Sequence, residues 1–249
     1  MKGKVVIVTG AASGIGLAAS RQFVDVGAKL AMIDIADCSG LVRAIREDGG
    51  DALSVEADVS QAGDVDAMVE RTLSVFGRID ALVNNAATVV FGRVDETSEA
   101  DWDRLLDVNL KSVFLCSRTV VPVMRKQGGG AIVNVGSEFA LIGGPQLAAY
   151  CASKGGVIQL TRAMAADHAA DGIRVNAVCP GPTATPMLES EFAAAEDGDA
   201  QRQAEIERTM LKRFGTPVEI ANVIRFLASD EASNMTGAVV AADGGLTAL

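Results

Sequence analysis

The chain has a single tyrosine, Tyr150, and a lysine stands four residues further on, at Lys154. On a helix this spacing sets both side chains on one face. A phenol, with an ordinary pKa of about 10, is a poor base at neutral pH, but a nearby ammonium favours phenolate and lowers that value. Such a pair suits proton exchange with an alcohol or carbonyl oxygen while a redox cofactor takes or gives the hydride. Ordinary amphipathic helices carry the same spacing by chance, so the chemistry needs a cofactor site elsewhere in the chain.

That site is legible near the start. The apolar run at residues 5–8 leads into Thr9-Gly10-Ala11-Ala12-Ser13-Gly14-Ile15-Gly16, and a helical pattern follows over residues 14–26. Gly10, Gly14 and Gly16 allow a tight turn and a close backbone approach to a pyrophosphate, whose charge would face the first amides of the helix. The strand before and the helix after distinguish this loop from a stray glycine cluster. The next strand ends at Asp34, 20 residues after Gly14. A carboxylate there accepts from an adenosine ribose 2′-hydroxyl and repels a 2′-phosphate. Neither residues 11–13 nor Ile35 and Ala36 supply an Arg or Lys to hold such a phosphate. The expected cofactor is NAD in preference to NADP.

Both features need a scaffold. Runs at residues 5–8, 29–34, 52–57, 81–83, 131–135 and 174–178 read as strands, and the stretches 14–26, 37–48, 64–76, 101–125 and 150–170 carry apolar residues at helical spacing. Near-continuous apolar strands are what a parallel sheet covered on both faces requires. The alternation predicts an α/β fold, a doubly wound parallel sheet of the Rossmann type with right-handed crossovers. No linker, charge block or repeat divides the chain, so residues 1–249 are expected to form one domain. Residues 186–214 break the rhythm: they are rich in Glu, Ala, Gln and Arg, are interrupted at Glu196-Asp197-Gly198-Asp199, and precede a further helix at Pro217–Ala228. They read either as a solvated pair of surface helices or as a substrate lid, and the lid is the expectation.

Composition excludes other classes. With 249 residues, 49% of them hydrophobic, the chain can bury a substantial core and is not disordered. Its 26 glycines follow no collagen period. A net charge of −10 argues against nucleic acid and anionic lipid as partners, and no apolar stretch is long enough to span a membrane. Cys38, Cys116, Cys151 and Cys179 show neither a paired nor a zinc spacing, and His168, the only histidine, lacks ligating partners, so no metal is expected. The first apolar run is too short for a secretory signal, and the chain is expected to be cytoplasmic with reduced thiols.

In their order along the chain these motifs resemble the short-chain dehydrogenase/reductase family. Residues 9–16 fit its TGxxxGxG loop, and Asp58-Val59 resembles the pair that contacts adenine after the third strand. Asn84-Asn85-Ala86-Ala87 resembles the NNAG motif of the central sheet, and Asn109 aligns with the helix asparagine of the family's proton relay. Ser137, 13 residues before Tyr150, matches the catalytic serine. Pro180-Gly181-Pro182-Thr183-Ala184-Thr185 fits PGxxxT beside the nicotinamide, while Thr236-Gly237 and Asp243-Gly244-Gly245 resemble the C-terminal signature. The resemblance spans almost the whole chain. It implies Tyr150 as general acid/base, Lys154 lowering its pKa and binding the nicotinamide ribose, Ser137 on the reacting oxygen, and Asn109 holding a water that links Lys154 to solvent. It also implies cofactor contacts at Gly10, Ser13, Gly14, Ile15, Gly16, Asp34, Ile35, Asp58, Val59, Asn85, Ala86, Pro180, Gly181, Thr183 and Thr185. Two positions depart from the pattern: Ala87 replaces the glycine of NNAG, and Gly136 stands where many relatives carry a side chain.

The resulting expectation is an NAD-dependent oxidoreductase acting on a small-molecule secondary alcohol or its ketone, such as a polyol, a cyclic alcohol or a hydroxysteroid. The alternatives are a 3-oxoacyl thioester (acyl-carrier-protein) reductase and a non-catalytic dinucleotide-binding sensor. Glu138 either faces solvent or accepts from a substrate hydroxyl or amine. Phe139, Leu141, Gln146, Leu147, Thr88, Val89 and Met187 are candidate cleft walls, and Trp102 reads as packing. The resemblance further implies a homotetramer, with a stripe of Val157, Leu160 and Met164 compatible with burial against a second copy.

Overall fold

The computed structural model describes residues 1–248. Among these, one parallel sheet contains β1 (Val5–Thr9), β2 (Lys29–Asp34), β3 (Asp51–Glu56), β4 (Ala81–Asn84), β5 (Gly130–Val135), β6 (Ile173–Pro180) and β7 (Val239–Ala242). The strands lie in the order β3-β2-β1-β4-β5-β6-β7. Val6 of β1 sits between Leu30 of β2 and Ala81 of β4. Chain order reverses between β1 and β4, so the segments leaving their carboxyl ends diverge and open a crevice there.

The helices are α1 (Gly14–Asp25), α2 (Ser39–Glu47), α3 (Ala62–Phe76), α4 (Glu99–Leu106), α5 (Ser112–Gln127), α6 (Ala148–His168), α7 (Pro186–Ala194), α8 (Gly198–Arg208) and α9 (Pro217–Ala228). Alternation along β1 divides the core. Val6 and Val8 join Phe23, Met32, Val42, Ile220, Ile224 and Leu227 under α1, α2 and α9. Ile7 points the other way, into Val65, Met68, Leu82, Val120, Met124 and Val175 under α3 and α5. The helix α9 starts as its sequence dictates: Pro217 fills the first turn, and Thr216 and Glu219 cap each other reciprocally. Among the described residues no helix is long and apolar enough to cross a membrane.

Three features differ from the sequence reading. The edge strand β7 was not expected; its four residues are too few to carry a periodic signal. The helix expected over residues 101–125 is instead α4 and α5 joined by a π turn at Asp107–Lys111. Finally, the stripe compatible with burial against a second copy is largely covered within the chain. Val157 is fully buried and Met164 sits in the core, which leaves only Leu160 half-buried.

Candidate active site

The carboxyl ends of β1, β2, β4, β5 and β6 open onto one cleft of about 800 Å³. Its first half is built by the glycine loop. Gly10, Ser13, Gly14 and Ile15 line it, and Ser13, the residue before α1, makes no side-chain cap to the helix. The first amides of α1 have no intrahelical acceptor, so they are available to an anion. Gly16 lies off the cleft wall. A Cβ there would sit 2.0 Å from the Gly10 carbonyl oxygen, so glycine is required to seat the helix against its own loop. Asn85 braces the loop from the other side, donating to the Thr9 and Gly10 carbonyls at 3.0 and 3.1 Å.

Asp34 lines the cleft at the tip of β2, next to the exposed Ile35. Each of its oxygens accepts one backbone amide, from Ala12 and Ala36, at 2.9 Å. The carboxylate is therefore fixed in place with lone pairs to spare for hydroxyl donors. Asp58 and Val59 close this end, and Asn85, Ala86, Pro180, Gly181, Thr183 and Thr185 continue the wall inward. Free helix amides, an anchored carboxylate and a long shared wall fit a dinucleotide.

Ser137, Tyr150 and Lys154 meet where the two halves of the cleft join. Ser137 follows β5 and Tyr150 lies in the first turn of α6, and both line the cleft. The Lys154 ammonium is buried, donates to the Val135 carbonyl at 3.0 Å and lies 5.8 Å from the centre of the Tyr150 ring. Burial brings the lysine down to about 8. Burial also pushes the Tyr150 phenol above its ordinary value, helped by the Glu138 and Glu191 carboxylates and opposed by the Ser137 hydroxyl. Desolvation is the largest influence on the phenol, and the Lys154 ammonium, bonded to Val135, is not among the groups that offset it.

Asn109 lies in the π turn, buried and off the cleft wall. Its amide exchanges two hydrogen bonds with the Thr88 backbone, at 2.8 and 2.9 Å, and donates to Ser153 Oγ at 3.2 Å. Ser153 in turn donates to the Tyr150 carbonyl at 2.8 Å. The side chain therefore ties the segment after β4 to α6.

The second half of the cleft is walled by Val89, Phe91, Phe139, Gln146, Leu147 and Met187, and by Leu188, Glu191, Phe192, Gln201, Glu205 and Arg208 from α7 and α8. Leu141 and Thr88, expected as walls, lie outside it. Phe192 stacks on Phe214 with ring centres 5.7 Å apart, and the Arg202 guanidinium covers the Phe192 ring at 4.6 Å. Arg208 chelates Glu205 with two contacts of 2.9 Å and lies 5.7 Å from the Phe139 ring. Glu138 is 5% exposed and accepts from Ser137 Oγ at 2.7 Å, which overturns the solvent-facing reading. Burial, with Glu205 opposing ionisation, raises Glu138 to about 7 and Glu191 likewise to about 7.

Both departures from the family pattern are accommodated. Among the described residues the non-glycine positions with positive φ are Gln146 and Lys212, so Ala87 carries no left-handed strain. At Gly136 the Cys179 sulfur occupies the space of a side chain, 3.0 Å from where a Cβ would stand. The sequence reading missed Phe91, Glu191, Glu205 and Arg208. Gln201, Glu205 and Arg208 do share one face of α8 by their spacing, but only the fold shows that this face meets the cleft.

A family model described as enoyl-(acyl carrier protein) reductase matches residues 10–247. An uncharacterized oxidoreductase of Thermotoga maritima is 45% identical, with 100% of this chain and 99% of the relative covered. The 3-oxoacyl-[acyl-carrier-protein] reductase of the same organism is 42% identical over 99% of this chain and 98% of its own length. A cyclopentanol dehydrogenase of a Comamonas species is 41% identical over 98% and 97%. Among solved structures, levodione reductase superposes with a TM-score of 0.94 at 34% identity, covering 100% of this chain and 99% of that one.

Proposed function

The chain belongs to the short-chain dehydrogenase/reductase family of oxidoreductases, and from that membership we propose that it interconverts a secondary alcohol and its ketone with NAD as cofactor. One arrangement carries this reading: Ser137, Tyr150 and Lys154 converge between a dinucleotide-fitting half of the cleft and a mostly apolar half. When bound, the nicotinamide supplies the two-electron acceptor or donor. Tyr150 exchanges its phenolic proton with the substrate oxygen, and Ser137 hydrogen-bonds the same oxygen. Lys154 places its ammonium beside the phenol, where it holds ribose hydroxyls and favours proton loss in alcohol oxidation. Asn109 fixes the backbone around Tyr150 through Ser153 and Thr88. Asp34 accepts from the adenosine ribose and disfavours the 2′-phosphate of NADP.

The remaining assignments follow from the same reading. The fold works as one domain in which residues 186–214 act as a lid that excludes water. The aromatic and aliphatic walls, with Gln146 and Glu138 as polar points, suit a cyclic or polyhydroxy alcohol, and the similarity to a cyclopentanol dehydrogenase supports that class. The enzyme is cytoplasmic and assembles as a homotetramer; Phe114, 48% exposed on α5, is an apolar contact for such an assembly. Light scattering of a monodisperse monomer would rule out the tetramer.

A second reading, reduction of a 3-oxoacyl thioester, is favoured by the 42%-identical carrier-protein reductase. Against it stand Asp34 and a net charge of −10, which does little to attract an acidic carrier. Initial rates of NAD reduction across cyclopentanol, cyclohexanediols, polyols and hydroxysteroids, with NADP in parallel, separate the readings. Turnover of a panel alcohol with NAD and not NADP supports the proposal; oxidation of NADPH by a 3-oxoacyl thioester alone would replace it with the second reading.

A further inference from the structure

The hydroxyl of Ser137 has one proton to give, and in this structure it already has a taker. Ser137 Oγ stands 2.7 Å from Glu138 Oε2 and accepts from the Phe139 amide at 3.2 Å. An ionised carboxylate only accepts hydrogen bonds. While Glu138 is ionised, the serine proton is drawn away from the place where the substrate oxygen would need it. A protonated Glu138 reverses the bond: its O–H donates to Ser137 Oγ, and the serine O–H turns toward the substrate. The proton stays on Glu138 throughout, and only the direction of the hydrogen bonds changes.

We propose that Glu138 is a positioning residue that acts through Ser137, releasing the serine proton to the substrate oxygen only when its own carboxyl is protonated, and so sets an upper pH limit on ketone reduction. The proposal rests on the roles given above to Ser137 and Tyr150. Its surroundings favour the protonated form near neutrality. Glu138 is 5% exposed and, among the described residues, has no cation within ion-pair distance. It faces Tyr150 from α6, Cys179 from β6, and Glu205 and Arg208 from α8, with Glu191 of α7 facing Tyr150 beside it. Arg208 alone among these favours ionisation, and it is already engaged by both oxygens of Glu205. Burial is the dominant influence and raises the carboxyl to about 7. Of the other titrating groups, Glu191 is likewise raised to about 7, Lys154 comes down to about 8, Cys179 is pushed up to about 11 and Tyr150 is raised above its ordinary value, so it is the response of Glu138→Gln that assigns the step.

The test joins a kinetic and a spectroscopic measurement. A group titrating near 7 changes its protonated fraction about tenfold between pH 6 and pH 8. The kcat/KM for reduction of cyclopentanone by NADH should therefore fall about tenfold over that range in the unmodified enzyme. Glu138→Gln, whose amide donates to Ser137 as the protonated acid does, should lose that step, and Glu138→Ala should lose it too. Infrared difference spectra of the enzyme against Glu138→Gln, recorded from pH 5 to 9 without substrate, should show a protonated-carboxyl band that titrates near neutrality and shifts in Ser137→Ala. A Glu138 ionised throughout, or a Glu138→Gln enzyme that keeps the step, would overturn the proposal. If the unmodified enzyme reduces neither cyclopentanone nor any other ketone, the proposed function fails, and the infrared titration still decides the Glu138–Ser137 pair.

Discussion

Lys154→Met should make the cofactor-free protein more stable at neutral pH while abolishing turnover. The ammonium is buried, 2% exposed, and donates to the Val135 carbonyl at 3.0 Å. Burial lowers it from 10.5 to about 8, which at about 1.4 kcal/mol per pH unit is a penalty on the folded state of about 3 kcal/mol at pH 7. Because the folded value is the lower one, the penalty is fully present below about pH 8. It fades as pH rises toward 10.5, where the unfolded chain also loses its proton. Methionine fills the same channel without charge but leaves the Val135 carbonyl without a donor, at a cost of about 1–2 kcal/mol. The variant should therefore exceed the parent by about 1–2 kcal/mol at pH 7 and fall about 1 kcal/mol below it near pH 10.5. Urea unfolding without cofactor at pH 6.5, 8.5 and 10 measures this, since groups that titrate alike in both proteins cancel in the difference. A difference independent of pH, or a parent more stable at pH 7, would refute the reasoning.

Two further substitutions probe the cofactor half of the cleft. Asp34→Gly removes the carboxylate that the Ala12 and Ala36 amides hold in place, and should lower the NAD-over-NADP ratio of kcat/KM by about tenfold, or about 1.4 kcal/mol; an unchanged ratio would locate discrimination elsewhere. Gly16→Ala drives a Cβ to 2.0 Å from the Gly10 oxygen; overpacking of this kind costs about 1–3 kcal/mol or more, so thermal unfolding should shift down and NADH binding, followed by fluorescence, should weaken together.

Much of the scaffold was legible because parallel strands buried on both faces read as apolar runs, and β2 falls at residues 29–34 as expected. The cofactor half was legible for a related reason. Its residues sit at fixed offsets from strand ends, so Gly14, Asp34 and Asp58 could be placed from local sequence. Other features depended on tertiary context. A π turn leaves no mark on helical periodicity, so the setting of Asn109 stayed hidden. Burial of Val157 and Met164 depends on what faces α6, and an apolar stripe looks the same whether it meets its own sheet or another copy. Glu138 shows the same limit: adjacency to Ser137 is in the sequence, but the 2.7 Å bond and the enclosure by α8 come from the fold.

Tyr150→Phe tests the central claim most directly, because it removes one oxygen and leaves the ring and its edge contact with Phe139. With an alcohol that the unmodified enzyme oxidises, kcat and the NADH dissociation constant should be measured side by side. The account predicts a loss of kcat of about 10²–10⁴-fold, the range for a positioned acid/base, with NADH bound within about twofold of the parent, less than 0.5 kcal/mol. A variant that keeps kcat within a few-fold would contradict the assignment of Tyr150 as the group that exchanges the proton.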